Sequence, residues 1–212
     1  SQTLFRKGSL SKIISEIKNN IENKTLIFYT NGLLGSRKSQ TYSNFNDFMY
    51  NLSYWSSWSN GFNIWKSEFD KIDKNLKLNK LFPHTSLFLT QHQAKLFCIN
   101  DNLLFDVQRI PKRGGHNKFE AFTIEYPSLL DECCKKGHIS TKCKKHILFG
   151  IMVQFLPSLL FNKYIIRIET FDDTGFRDNL KKYYPSYAYW LVLISVLGVP
   201  FRLFCRKLKN KR

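Results

Sequence analysis

Cys134, His138, Cys143 and His146 are the side chains best suited by type to hold a metal ion, with three, four and two residues between successive members and Cys133 alongside. Zinc sites usually place two close ligand pairs on separate elements joined by a longer segment. The central gap here is short for that arrangement, so the default expectation is reduced cysteines on a basic helix and loop, with no metal or cofactor assigned. Residues 111–118 (PKRGGHNK) suggest a different chemistry. Gly114 and Gly115 let the backbone approach a phosphate closely, while Lys112, Arg113 and Lys118 supply charge; a solvated hairpin loop is the plainer alternative.

Other cations extend that set. Lys135, Lys136, Lys142, Lys144 and Lys145 form a second basic cluster, Arg206 and Lys207 open a basic tail, and Arg37, Lys38 and Lys66 lie in or beside turn-rich segments. A single charge run is commonly a solvated face, but two clusters plus a tail exceed what solubility requires. Arg37, Lys38, Lys66, Lys112, Arg113, Lys118, Lys135, Lys136, Lys144, Lys145, Arg206 and Lys207 are therefore the candidate RNA-contacting residues. Trp55, Trp58 and Trp65 could stack on bases, yet tryptophans near a helix start more often act as core or interface anchors. They are assigned that anchoring role.

Catalytic patterns are missing from the sequence. It has no phosphate-binding Gly-Lys-Ser loop, no Gly-x-Ser-x-Gly elbow and no His-Glu-x-x-His pair. Asp70, Asp73, Asp106, Glu120 and Glu125 could in principle build a metal-dependent nuclease site, but their spacing singles out none of them. The chain is expected not to be an enzyme.

The whole composition agrees with a polyanionic partner. Across 212 residues, 33 Lys and Arg face 16 Asp and Glu, a formal charge of +17, and 16% of residues are aromatic. Fixed cations gain by releasing counterions from phosphates, and aromatic faces stack on bases. A hydrophobic content of 43% excludes a wholly disordered basic tail. The abundance of Phe, Lys, Asn, Ile and Tyr, with only Ala94, Ala121 and Ala188 as alanines, is what an AT-rich coding sequence produces, and an organellar genome is one such source. Five cysteines without regular spacing point to a reducing compartment, and residues 1–10 lack the hydrophobic stretch of a secretory signal.

These residues need elements to position them. Leu10, Ile13, Ile14, Ile17 and Ile21 recur at helical spacing and predict an amphipathic helix over residues 9–22. A buried strand follows at 25–30, then a loop at 31–43 and a helix over 45–52. The tryptophan-rich turn comes next, and a charged helix is predicted over 64–81. Short strands are predicted at 85–90, 119–126 and 163–169, while 96–99 and 103–107 read as a hairpin or as a helix and a strand.

In order and approximate spacing, residues 9–90 resemble the bacterial-type ribosomal protein S-two family. The resemblance rests on the strand Lys24–Asn31 (KTLIFYTN) after a helix, and on Trp55, Ser59, Asn60, Phe62, Ile64 and Lys66 at the signature turn. Residues 82–89 (FPHTSLFL) then match a Pro-led strand after a charged helix. Ser56 and Ser57 stand where that family has paired glycines, and nothing after about residue 130 aligns. The resemblance implies an α/β fold with a mostly parallel sheet flanked by helices, here followed by a divergent C-terminal helical extension. It also implies docking on small-subunit ribosomal RNA and neighbouring ribosomal proteins, without catalysis. With the AT-rich composition, the expected setting is a mitochondrial ribosome in the matrix. The corresponding domain division is an S-two-like core over 1–130, a basic divergent segment over 131–182 that completes it, and an apolar helix with a basic tail over 183–212.

That last segment supports a second expectation. Residues 183–201 carry no formal charge, open with Tyr183, Tyr184, Tyr187, Tyr189 and Trp190, and are followed by Arg202, Arg206, Lys207, Lys209, Lys211 and Arg212. An aromatic belt, an apolar span and a basic flank suit a membrane anchor. Pro185, Ser186, Ser195, Gly198 and Pro200 shorten the apolar helix and favour a buried terminal one. Residues 147–161 are predicted to be core.

Overall fold

The computed structural model describes residues 2–59, 61–108 and 117–210, with side chains for 4–59, 61–106 and 117–205. The chain forms two compact units, the first from Ser1–Ile110 with Cys133–Cys143, the second from Pro111–Glu132 with Lys144–Arg212. The architecture is mixed α/β, with short strands confined to the first unit among the described residues.

The first unit contains β1 (Gln2–Phe5), α1 (Ser9–Asn19), β2 (Leu26–Tyr29), β3 (Ser39–Tyr42), α2 (Phe45–Leu52), α3 (Lys66–Phe69), α4 (Pro83–Leu89), β4 (Phe97–Asn100) and β5 (Phe105–Gln108). β4 is the centre of a three-stranded sheet, parallel to β2 with Leu26 opposite Phe97, and antiparallel to β3 with Tyr42 opposite Phe97. β1 and β5 form a separate antiparallel pair. Of these three pairings only β2 with β4 is parallel, which departs from the mostly parallel sheet expected. The physical reason is connection length. The crossover from β2 to β4 carries α2 and can return the chain in the same direction, whereas the link 30–38 ahead of β3 is too short for a parallel return.

Helices cover both faces of the sheet. Side chains alternate along a strand, so Phe28 and Phe97 point to one face and Ile27, Tyr29 and Cys98 to the other. On the first face, the rings of Phe45 and Phe48 from α2 pack with Phe97 and with each other at 5.2–6.2 Å centroid separations, and Phe88 from α4 meets both of them at 6.0 Å and Phe28 at 5.5 Å. On the second, Ile13 of α1 packs against Ile27, Tyr29, Cys98 and Leu104. The free edge of β2 is closed by residues 61–63. There Tyr29 N donates to Gly61 O, Asn63 N donates to Ile27 O at 3.2 Å, and Ile27 N donates to Asn63 Oδ1 at 2.7 Å. A Cβ on Gly61 would lie 2.2 Å from Phe28 Cε1, so this close approach requires glycine.

Several expected elements are different in kind. Residues 83–89 are helical rather than a strand: Pro83 sits in the first turn, where its fixed φ favours a helix start, and Asn79 Oδ1 accepts from the amides of Leu81 and Phe82 just ahead. The charged helix expected over 64–81 is reduced to the single turn α3. Asp73 accepts from Asn75 N and Asn79 from Leu81 N, so local side-chain bonds replace helical ones. Residues 96–99 and 103–107 contribute two strands, but these belong to different sheets and form no hairpin.

The second unit is helical. It includes α5 (Lys118–Glu120) and most of α6 (Tyr126–Lys135) and α7 (Thr141–Gly150), then α8 (Leu156–Leu160), α9 (Phe176–Leu180), α10 (Ala188–Val196) and α11 (Val199–Asn210). Residues 119–126, expected as a strand, continue α5 through a π-helical turn, Ala121–Glu125, that brings Phe119, Ala121, Thr123 and Tyr126 all to the interior. Their alternating burial is what mimicked a strand. The strand expected over 163–169 is instead a π-helical ending, Phe161–Ile165, followed by irregular chain. Lys163 is drawn to Asp173 at 2.7 Å. Thr141–Ile165 runs as one helical stretch of 25 residues and is, by length and composition, apolar enough to cross a membrane, with 56% of its apolar window buried in the protein. Tyr184 anchors the chain after α9 by donating its hydroxyl to Phe122 O at 2.8 Å. The expected apolar terminal helix is broken, α10 and α11 meeting at a 53° bend.

Candidate nucleic-acid interface

The link between β2 and β3 is held by a buried carboxylate. Asp101 follows β4 directly, is fully buried, and accepts from Thr30 Oγ1 at 2.5 Å, Leu34 N at 3.1 Å, Ser36 N at 2.7 Å, Ser36 Oγ at 3.1 Å and Arg37 N at 3.0 Å. Burial alone would raise its pKa, but the bonds from Thr30, Arg37, Leu34 and Ser36 outweigh it and hold the carboxyl below the usual range. Asn31 makes a second clasp. Its Oδ1 accepts from Leu104 N at 2.8 Å and Phe105 N at 2.9 Å, while its Nδ2 donates to Phe105 O at 3.0 Å.

The result is a rigid loop with left-handed backbone at Asn31, Gly32, Gly35 and Arg37. It lies at the carboxyl ends of the parallel pair β2 and β4, the edge where open α/β sheets commonly bind ligands. Lys38 is exposed on it, and its carbonyl accepts from Asp101 N at 3.1 Å. Arg37 is half-buried, its guanidinium lying close over Gly32. Beside the end of β4 is an open groove of about 530 Å³, lined by Lys12, Glu16 and Asn19 of α1 and by Asn100 and Asn102. Both Glu16 carboxylate oxygens accept from Asn100 Nδ2, at 2.9 and 2.7 Å. The Tyr29 hydroxyl is buried beside this pair, and burial together with the Glu16 charge raises its pKa.

The remaining basic candidates divide by what they touch. Lys66 is exposed, pairs with Asp70 and lies 5.7 Å from the Phe69 ring centroid. Lys118 is spent on structure, with its ammonium 3.7 Å from the Phe171 ring centroid and 3.8 Å from Glu169. Lys144 pairs with Asp131 at 2.7 Å. Lys135 and Lys136 are exposed at and just past the end of α6, and Lys145 is exposed within α7. Lys112 and Arg113 lie outside the described residues, and the side chains of Arg206 and Lys207 do as well.

Trp55, Trp58 and Trp65 are all half-buried. Trp65 Nε1 donates to Thr25 O at 2.9 Å, tying the turn to the start of β2, and Trp55 packs against Tyr54 at 4.8 Å. Asp101, Asn31 and Glu16 carry the geometry of this edge and were not singled out in the sequence. The only signal for Asn31 and Asp101 is polar turn residues at the ends of two strands, Thr30–Asn31–Gly32 and Asn100–Asp101–Asn102, and Glu16 is one of the polar residues between the apolar positions of α1.

The candidate metal ligands are engaged separately. Cys143 is buried with Sγ 3.5 Å from Asn46 O, Cys134 Sγ is 3.8 Å from Thr141 Oγ1, and the His138 ring stacks on His92 at 3.5 Å. His146 belongs to the other unit. Among the described residues no group of three or more His, Cys, Asp and Glu is placed to share a metal ion. Burial pushes the Cys98 and Cys143 thiols up to about 12, with the Glu16 charge adding for Cys98 and the neighbouring cysteines for Cys143. Since the thiolate is the nucleophile, alkylation of the native protein at pH 8 is expected to label Cys134 and Cys205, the two half-buried thiols, ahead of Cys98, Cys133 and Cys143. Peptide mapping after a timed iodoacetamide pulse checks this, and early labelling of Cys143 contradicts it.

No family model, no curated protein and no solved structure matches the chain.

Proposed function

We propose that the chain is a non-catalytic, RNA-binding constituent of a ribonucleoprotein particle. On the resemblance of residues 9–90 to the S-two family, in which the first helix and the strand β2 keep their expected kind while the charged helix and the Pro-led strand do not, that particle is the mitochondrial small ribosomal subunit, with ribosomal RNA and neighbouring ribosomal proteins as partners. The observation that carries the reading is the Asp101-clasped loop, which presents Lys38 from a fixed backbone at the carboxyl edge of the sheet, in a chain of net charge +17. A preordered cationic loop loses little entropy on meeting a phosphate backbone, and phosphate contacts supply position and affinity. Arg37, Lys66, Lys135, Lys136 and Lys145 add further charge, so affinity is distributed over many contacts. Lys118 and Lys144, already paired inside the fold, contribute less.

Two measurements test this. In filter binding of the purified chain to a structured RNA, Lys38→Ala is expected to weaken binding modestly at every sequence tried and to reduce the slope of log K against log salt by about one. An unchanged slope removes Lys38 from the interface. Sedimentation of a detergent-cleared organelle lysate is expected to place the protein with the small ribosomal subunit and to lose that position after ribonuclease. A ribonuclease-insensitive position among membrane complexes overturns the ribosomal assignment.

A further inference from the structure

The second unit carries an apolar stripe that its own core does not use. Tyr187, Trp190, Ile194, Leu197, Phe201 and Phe204 follow one another at steps of three and four residues along α10, across the bend and into α11, and they are 60, 59, 65, 82, 71 and 59% exposed. Such steps place residues on one helical face. Ala188, Val192 and Val199, on the opposite side, are buried, and α10 packs on α8 and on the π-helical turn Ile151–Phe155 before it.

The sequence that carries the stripe is strongly basic, with Asp178 just ahead of it pairing with Lys181 at 2.7 Å. From residue 180 to the end of the sequence there are eight cations, Lys181, Lys182, Arg202, Arg206, Lys207, Lys209, Lys211 and Arg212, and no Asp or Glu. Lys181 and Lys182 are exposed just ahead of α10. A second copy of this chain would bring the same basic segment to the interface and repel. A surface that is apolar in depth and anionic at its rim fits, and the aromatic residues Tyr187 and Trp190 at one end of the stripe have the amphipathic rings that settle at the headgroup level of a bilayer.

Arg202 decides how such a surface is met. Its guanidinium turns inward, Nη1 donating to Val153 O at 2.6 Å and Nη2 to Ser195 O at 3.4 Å, a carbonyl that also accepts from Gly198 N at 3.2 Å, so it pins α11 to the unit. With the bend fixed and Val192 and Val199 holding the other face in the core, α10 and α11 cannot straighten into a span without opening the unit.

We propose that α10 and α11 form an in-plane docking surface for an anionic lipid bilayer, with Trp190, Ile194, Leu197, Phe201 and Phe204 entering the interface and the basic residues meeting the headgroups. This goes beyond the RNA-binding reading and does not depend on it. The chain then joins a nucleic-acid surface centred on the Asp101-clasped loop of the first unit to a lipid surface in the second, as a membrane-apposed ribonucleoprotein requires.

The test uses the full chain with vesicles of phosphatidylcholine alone or with about one-third phosphatidylserine. Co-sedimentation is expected with the anionic vesicles and little with the neutral ones. Leu197→Ser with Phe201→Ser changes no charge and replaces no buried residue, and it is expected to lower the partition coefficient by roughly tenfold or more, from the apolar area withdrawn. The thermal melt of that variant and its affinity for RNA are expected to be unchanged, which separates this proposal from the RNA-binding one. Three results overturn it. One is absence of binding to anionic vesicles, and another is binding that the double variant leaves intact and competing RNA abolishes, which assigns the signal to general polyanion affinity. The third is protection of the C-terminal basic tail from protease added outside sealed vesicles, which means spanning.

Discussion

Asp101→Ala is expected to lower the unfolding temperature of the first unit by about 10 °C, on the order of 3–4 kcal/mol. The substitution removes one carboxylate and strands five donor groups at once: the hydroxyls of Thr30 and Ser36 and the amides of Leu34, Ser36 and Arg37. In a site with no solvent exposure at Asp101, those donors cannot all turn to water. Asp101→Asn retains an acceptor oxygen but loses the charge and adds an amide NH2 among donors, so it falls between wild type and Ala. The pH dependence has a definite sign. A carboxyl whose folded pKa is lowered adds stability that is fully present above its unfolded value, near 4, and is lost as pH falls from there through the folded value. Calorimetry from pH 7 to pH 2 is expected to show a stability loss below about pH 4 that is smaller in Asp101→Asn. Equal acid sensitivity in the two proteins would remove Asp101 from its role. RNA affinity is the functional companion: a loop released from Asp101 keeps Lys38 but must be ordered on binding, so affinity falls with little change in salt slope.

The other large effect is in the aromatic core. Phe88→Ala is expected to cost about 4 kcal/mol, the range for deleting a buried aromatic ring. Phe88 is fully buried and meets Phe28 at 5.5 Å, Phe62 at 5.4 Å and both Phe45 and Phe48 at 6.0 Å. It is thus the ring through which α4, α2 and β2 share one core. Urea titration is expected to show a lower midpoint with an unchanged slope, and Phe88→Leu, which fills more of the space, is expected to recover part of the loss. An effect below 1 kcal/mol for Phe88→Ala would mean that α4 does not hold this face of the sheet.

The elements legible in the sequence were those whose pattern and end signals agreed. α1 carries a helical apolar stripe, and α2 begins at Asn44, whose side chain accepts from Asp47 N. β2 is a short β-prone run bounded by Asn and Gly. β3 was not legible because Ser39–Tyr42 is polar and largely exposed; it is a strand only because the edge of β4 supplies partners. Residues 85–90 misled for the opposite reason, since a Thr-Ser-Leu-Phe-Leu-Thr run has strand propensity while Pro83 and the packing of Phe88 decide for a helix. Lys118 looked like a phosphate contact because its sequence neighbours are glycines and cations, and its aromatic partner Phe171 lies far along the chain. The same holds for the site. Thr30 and Asp101 could be read as turn residues, but not as donor and acceptor to one another, because that pairing exists only once β2 and β4 lie side by side.

The interleaving of the two units constrains how the protein can be made and divided. Residues 133–143 belong to the first unit although the second has already begun at Pro111. Within that first unit they contribute Ser140 N donating to Asn46 Oδ1 at 2.7 Å and the His138 ring stacked on His92. During synthesis the first unit therefore remains unfinished until residue 143 has left the ribosome, by which point the opening part of the second has already been made. No single cleavage yields both units whole: a nick near residue 110 strips the first of its closing segment, and one after residue 143 takes from the second its opening helices.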